Sequence, residues 1–266
     1  MLYFVGTPIG NLKDISLRAI EILKSVDEIA CEDTRHSLTL LNAYDIKKPL
    51  VAYHKFNEKE AGEKIIRKLK EGKNIAVISD AGMPVISDPG NILVGMLMEN
   101  GLEYTVIPGA SAFVSALILS GLDSSKFCFL GFLPEKNKDR KEFLEKYKYF
   151  DGTLIFYSAP HDVKKDVATL FECLGERQAR AVKEITKLHE TVISFNLKDG
   201  LPVEPKGEFV ILVEGKEEKS ELNALSEEEH INYYISMGLE KKEALKKVAK
   251  ERGVSKSSLY KYTVND

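Results

Sequence analysis

Residues 79–90 read SDAGMPVISDPG, with two glycines, two prolines and two aspartates in twelve positions directly after an apolar run. Glycine permits close approach to the backbone and proline fixes φ, so such a stretch can hold backbone N–H and C=O groups in a set layout. Turns this dense in Gly and Pro usually take about two to five residues, so this one is expected to be a ligand loop. Residues 7–11 (TPIGN) and 108–112 (PGASA) have the same character, each after an apolar run. The stretch 184–190 (EITKLHE) gathers Glu184, Lys187, His189 and Glu190. Those residue types can orient a hydroxyl or move a proton. A charged surface hairpin is the competing reading.

Several chemistries are excluded by spacing. GTPIGN at 6–11 has no Lys-Ser/Thr after its second glycine and is not GxGxxG, so neither phosphate-binding fingerprint is present. Glu32 and Asp33 stand where a ribose-binding acid would. Without the glycine fingerprint they read as solvated carboxylates or partners of Arg35. His54 and His161 are lone histidines, and no HExxH or calcium-loop pattern occurs, so no metal is expected.

The elements that must position these stretches follow from periodicity. Residues 2–6 are a short apolar run read as a buried strand, and 27–33, 50–54, 74–79 and 103–107 are further strand candidates. Ile15, Ala19, Ile22, Leu23 and Val26 recur at helical spacing, as do Ala61, Ile65, Ile66 and Leu69; residues 91–100 and 110–120 are also helical. Strands alternating with helices predict a parallel α/β sheet, whose ligands sit beyond the carboxyl ends of the strands. The three unusual loops fall there. After Gly121 the pattern changes. Strand candidates at 127–132 and 153–158 precede three close together at 179–185, 191–195 and 208–214, with helices at 136–148 and 163–174. Close succession predicts hairpins and a mixed sheet. The domains are therefore set at 1–122, 123–216 and 226–266, with 216–229, six Glu against two Lys, as a linker.

The last of these is helical in pattern. Ala244, Leu245, Val248 and Ala249 mark one face, Gly253 a turn, and Ser255 an N-cap for a short helix carrying Leu259. From Glu240 to Tyr262 there are eight Lys/Arg and three Glu, with Tyr260 and Tyr262 interleaved. This helix-turn-helix-like module suits contact with an RNA backbone, or serves as a cap with a solvated basic face. The whole chain carries a net charge of −3, so nucleic-acid binding has to come from such a local patch. Three scattered cysteines, no signal peptide and no apolar run long enough to span a bilayer point to a cytoplasmic protein without a membrane partner.

The opening VGTPIGNLKDISLRAIEIL with CEDTR at 31–35 resembles the ribosomal RNA small-subunit methyltransferase I family, within the tetrapyrrole-methylase superfamily. SDAGMPVISDPG, PGASA, GFLP at 131–134, EITKLHE and KGEFVILVEG at 206–215 follow in the family's order, so the resemblance spans essentially the whole chain. It implies the tetrapyrrole-methylase fold, two α/β domains with a cleft between them, and S-adenosylmethionine as methyl donor. It also implies a cytidine 2′-hydroxyl in the 16S RNA of the 30S subunit as acceptor, and a homodimer. The expected donor-binding residues are Thr7, Pro8, Asp80, Ala81, Gly82, Met83, Pro84, Ser111, Ala112, Ser158, Ala159, Gly207 and Glu208. The catalytic candidates are Glu184, Lys187, Glu190 and Asp88. One departure is local: Tyr157-Ser158-Ala159-Pro160-His161-Asp162 stands where the family tends to carry Tyr-Glu-Ser-Pro-His-Arg, so only Tyr157, Pro160 and His161 carry over there. C-methylation of a tetrapyrrole and a non-catalytic nucleic-acid regulator are the alternative functions.

Overall fold

The computed structural model describes residues 1–216, 222 and 225–263. These form two compact units, one made of Met1–Lys148 and Gly152–Gly215, the other of Tyr149–Asp151 and Lys216–Asp266.

The first unit contains two five-stranded sheets. Strands β1 (Leu2–Val5), β2 (Glu28–Cys31), β3 (Leu50–Ala52), β4 (Ile75–Ile78) and β5 (Tyr104–Ile107) form the first, in the order β3-β2-β4-β1-β5, all parallel. Its faces are covered by α1 (Leu17–Ser25), α2 (Thr34–Ala43), α3 (Glu58–Lys70) and α4 (Asn91–Glu99). Alternation along β4 shows why these strands read as unbroken apolar runs. Ile75 and Val77 pack with Ile65 and Leu93 from α3 and α4, whereas Ala76 and Ile78 pack with Leu23 and Leu41 from α1 and α2. A strand covered on both faces has no polar side to show.

One helix of this layer is not legible by the periodicity used above. α2 follows β2 directly, and the Asp33 side chain caps it by accepting from the Arg35 N–H at 2.8 Å.

The second sheet is mixed. β6 (Phe127–Phe132) runs parallel to β7 (Thr153–Ser158), and β10 (Phe209–Val213), β8 (Gln178–Lys183) and β9 (Thr191–Asn196) continue it antiparallel, in the order β6-β7-β10-β8-β9. Helix α5 (Ala112–Ser120) follows β5 but packs its Ala116 and Leu117 on Ile155, Val182, Val210 and Leu212 of this sheet. The chain thus carries the PGASA loop straight from one sheet to the other. α6 (Asn137–Glu145) looks solvated by composition, yet Arg140 is buried. Its guanidinium donates to Asp166 of α7 (Val163–Leu174) at 2.8 Å and to the Pro134 carbonyl, while the Ser158 hydroxyl donates to the other Asp166 oxygen at 2.6 Å. This network ties the GFLP turn to the end of β7.

In the second unit, α8 (Glu227–Ser236) begins inside the stretch expected to be a linker. Ser226 and Glu229 form a reciprocal capping box, so Glu227–Glu229 is the first helical turn. The linker residues 217–221, 223 and 224 lie outside the described residues. α9 (Lys241–Arg252) ends at Gly253, left-handed at φ 65°, and a 3₁₀ helix (Lys256–Thr263) follows, its first turn closed by the Ser255 hydroxyl accepting from the Ser258 N–H. Ile231, Leu245, Val248 and Leu259 form the core. His230 is fully buried there. Its Nδ1 accepts from Arg252 at 3.0 Å, so Nε2 carries the proton and donates to Glu251 at 2.9 Å.

Candidate functional site

The loops after β1, β4 and β5 are locked together by backbone. Thr7 N–H donates to the Gly82 carbonyl at 2.9 Å, and Gly82 N–H returns to Thr7 at 3.2 Å. The buried Thr7 hydroxyl donates to the Ser79 carbonyl at 3.2 Å. Within residues 79–90, Val85 and Ser87 are left-handed, at φ 76° and 65°. For a β-branched residue this is a strained conformation, of order 1–3 kcal/mol, that persists only where the surroundings enforce it. Here the far end of the loop is pinned: Gly90 N–H donates to the Glu58 carboxylate of α3 at 2.7 Å, and the Val85 side chain fills the space beside Gly90.

A cleft of about 470 Å³ opens over these loops within the first unit. Of the residues expected to hold a donor, Asp80, Ala81, Gly82 and Met83 border it from the β4 loop, and Ser111 and Ala112 from the β5 loop. Ser158, Ala159 and Glu208 border it from the second sheet. Thr7, Pro8, Pro84 and Gly207 do not. Thr7 is consumed in the loop bridge and borders, with Pro8, a second cleft of about 260 Å³. That cleft lies between the β1 loop, the start of α2 and the end of β4, and Asp80 borders both.

The catalytic candidates separate. Asp88 borders the larger cleft; Glu184, Lys187 and Glu190 do not. Glu184, itself left-handed at φ 51°, accepts from the Glu208 N–H at 2.9 Å and from the Lys187 ammonium at 3.2 Å. Lys187 also meets the Glu208 carboxylate at 2.8 Å, and its stem lies where a Gly10 side chain would be. Glu190 accepts from the Thr186 N–H at 2.7 Å. These groups tie the 184–190 hairpin to Glu208 at the start of β10. Of the residues carried over by resemblance, Tyr157 and Pro160 border the cleft, while His161 points outward and pairs with Asp162 at 3.2 Å.

Composition missed the rest of the wall. Glu32 borders the larger cleft beside Asp80 and Asp88, whereas its neighbour Asp33 is the α2 cap and pairs with Arg35 at 3.5 Å. The only signal for Glu32 was its place at a strand end. Ile9, Phe132, Val182, Ile185, Phe209 and Val210 supply apolar wall. Burial pushes the Asp88 carboxyl up to about 6, with Glu32 and Asp80 adding to the rise and a hydrogen bond from Ser79 opposing it. Burial also raises Glu32, again helped by Asp80. Among the described residues no cation pairs with any of the three. Nor is there, among those residues, any cluster of three or more His, Cys, Asp or Glu able to hold a metal, or a helix long and apolar enough to cross a membrane.

Residues 1–201 match the family model of tetrapyrrole (corrin/porphyrin) methylases. A protein of Halalkalibacterium halodurans named ribosomal RNA small subunit methyltransferase I is 44% identical, covering 97% of this chain and 93% of the relative. A Bacillus subtilis protein of the same name is 43% identical, covering 98% and 92%. In fold the chain is similar to uroporphyrin-III C-methyltransferase from Thermus thermophilus, with a TM-score of 0.55 at 20% identity over 81% of this chain and 94% of the other.

Proposed function

The chain belongs to the tetrapyrrole (corrin/porphyrin) methylases, and from that membership we propose that it transfers a methyl group from S-adenosylmethionine to the 2′-hydroxyl of a cytidine in small-subunit ribosomal RNA. The observation that carries the donor is the larger cleft, where an apolar wall surrounds three carboxylates with no Lys or Arg partner among the described residues. A ligand aromatic at one end and positively charged at the other complements that wall. The name of the relatives supplies the acceptor class.

Bound there, S-adenosylmethionine supplies an electrophilic methyl group: the S–CH₃ bond breaks, its electron pair stays on sulfur, and an acceptor-oxygen lone pair forms the O–CH₃ bond. Since the donor is already activated, the protein mainly aligns and desolvates. Asp80, Ala81, Gly82 and Met83 hold the methionine and ribose parts largely through backbone, with Thr7, Pro8 and Pro84 bracing that loop and Ser111 and Ala112 closing one side. Ser158, Ala159 and Glu208 flank the adenine, and Gly207, packed against the Glu184 carboxylate, sets the place of Glu208. The Ser158 hydroxyl is committed to Asp166, so Ser158 acts through its backbone. Asp88 takes the hydroxyl proton; its raised pKa makes it a usable base near neutrality. Glu184, Lys187 and Glu190 position Glu208.

The basic module, residues 226–263 of the described chain, contacts the RNA. Exposed apolar side chains on β5 and α5, Val106 at 47% and Ile118 at 75%, suit a contact with a second copy of the chain. A ribosomal substrate places the protein in the cytoplasm.

The test is methyl transfer from labelled S-adenosylmethionine to purified small subunits lacking the modification, with the product nucleoside identified by mass spectrometry. A 2′-O-methylated cytidine is expected. A donor-binding protein that methylates no subunit or RNA preparation, but does methylate a porphyrinogen, overturns the acceptor.

A further inference from the structure

The larger cleft leaves two stretches of the sequence without a use. GTPIGN places only Ile9 on its wall, and the segment from Cys31 into α2 places only Glu32. Both meet instead around the second cleft. Its polar wall is Thr7 and Gly10 from the β1 loop, His36, Ser37 and Thr39 from the first turns of α2, and Asp80 from the end of β4. Ser37 decides what this space is for. It is 2% exposed, it borders the cleft, and its hydroxyl has no hydrogen-bond partner among the described residues. The Cys31 thiol beside it is a weak partner. Buried hydroxyls are nearly always satisfied, so an orphan on a cavity wall points to a group supplied from outside.

We infer that the second cleft receives the acceptor: one nucleoside of an RNA strand, turned out of its stack, with its ribose directed past Asp80 toward the larger cleft, which Asp88 borders. This rests on the proposed RNA methylation and extends it to the residues that choose the acceptor.

Three observations converge. At about 260 Å³ the cleft falls below the roughly 300–1,000 Å³ that encloses whole drug-sized ligands, which admits a single nucleoside and shuts out a macrocycle. Its wall alternates hydroxyls with an imidazole and a carboxylate, which matches the donors and acceptors of a ribose and a base edge. It shares Asp80 with the larger cleft, so occupants of the two spaces adjoin at that residue. Two reactants held in adjoining pockets are what a transfer between them requires. An enzyme acting on one nucleotide of a structured RNA has to draw it into such a pocket.

The experiment uses Ser37→Ala and Thr39→Val in the full chain, with single-turnover methylation of small subunits at saturating donor and calorimetric donor titration. Ser37→Ala removes a hydroxyl whose one candidate partner among the described residues is the weakly bonding Cys31 thiol, so a ligand role predicts an unchanged or raised Tm. The half-saturating RNA concentration should rise about three- to tenfold, the worth of one hydrogen bond, while donor Kd stays within twofold. Thr39→Val, on the exposed rim, should act in the same direction without any effect on folding. Titrating the protein, loaded with S-adenosylhomocysteine, with cytidine 3′-monophosphate should shift amide resonances of residues 34–39 and 7–11. Wild-type protein that methylates small subunits, with both variants saturating at the same RNA concentration as wild type, overturns the acceptor cleft and leaves the RNA reading standing. Wild-type protein inactive on every RNA overturns both.

Discussion

Gly6 and Gly109 exclude a β-carbon on one another. A Cβ built on Gly6 stands 2.8 Å from the Gly109 backbone, and one built on Gly109 stands 2.9 Å from the Gly6 backbone. Neither contact can yield, because both sides are main chain. The two glycines let the loops after β1 and β5 touch, and those loops carry Ile9 and Ser111 to the larger cleft. Gly6→Ala and Gly109→Ala are each expected to destabilise by about 1–3 kcal/mol, as overpacking does, and to weaken donor binding by displacing the loops. Thermal unfolding and donor calorimetry check this. A variant with wild-type Tm and donor Kd would show that the approach has slack.

The Asp88 carboxyl sits high because it is buried beside Glu32 and Asp80. A general base works only when unprotonated. Its pKa of about 6 in the free protein therefore predicts that kcat/KM is constant above that pH and falls tenfold per unit below it. Asp88→Asn should lower kcat by about 10²- to 10⁴-fold and abolish the acid limb. The profile is recorded at donor and RNA concentrations well below saturation. A limb that survives in Asp88→Asn assigns the proton transfer to another group.

Glu184 separates positioning from chemistry. Its carboxylate is held below the usual range mainly by the Glu208 N–H, with Lys187 adding to the effect. Glutamine keeps an oxygen for that N–H, so Glu184→Gln should retain kcat and donor Kd to within a few fold. Glu184→Ala releases the hairpin and should raise donor Kd about tenfold, the worth of one charge-assisted hydrogen bond. A loss of kcat in the glutamine variant, with donor Kd unchanged, would restore Glu184 as a base.

Both sheets, their order of elements and the three strand-end loops were legible because strands covered on both faces leave apolar runs and the loops leave Gly-Pro clusters. α2 was not. Its residues, TRHSLTLLNA, bury only Ser37, Leu40 and Leu41, too few to write a helical period. The same gap hid the second cleft, whose wall is the start of that helix. Nothing local in the sequence marks Arg140 as the guanidinium of α6 that turns inward to Asp166. The concentration of ionisable groups at 184–190 is legible in composition. Composition could not show that Glu184 and Lys187 pair with Glu208 instead of facing the cleft.

His230 gives the second unit a defined response to acid. Burial lowers its pKa, against the pull of Glu251. A base depressed on folding contributes stability that is complete above the ordinary histidine value of about 6.5 and is lost as pH falls toward the folded value. Protonation would also set an N–H at Nδ1 against the Arg252 N–H it now faces. Hydrogen exchange of residues 227–263 in the full chain should therefore quicken between pH 7.5 and 5.5, after correction for intrinsic rates. Residues 75–78 of β4, packed among apolar side chains, should keep their protection. Equal loss in both regions would place the acid response elsewhere.

Lys242, Lys246 and Lys250 recur every four residues along the exposed side of α9, while Leu245, Val248 and Ala249 face the core. Cations so spaced form one stripe along the helix, and a stripe on a helix suits a phosphate backbone. Each phosphate contact contributes roughly 0.7–0.9 to the slope of log affinity against log salt, so replacing all three by alanine should lower that slope by about 2. RNA affinity at low salt should fall with it. Tm should hold, because exposed alanine substitutions typically shift stability by no more than about 0.5 kcal/mol. Donor Kd should hold too, since none of the three borders the larger cleft. Filter binding of small-subunit RNA across a salt series, beside donor calorimetry, separates the possibilities. An unchanged slope would make the second unit a folded cap whose lysines only keep it solvated.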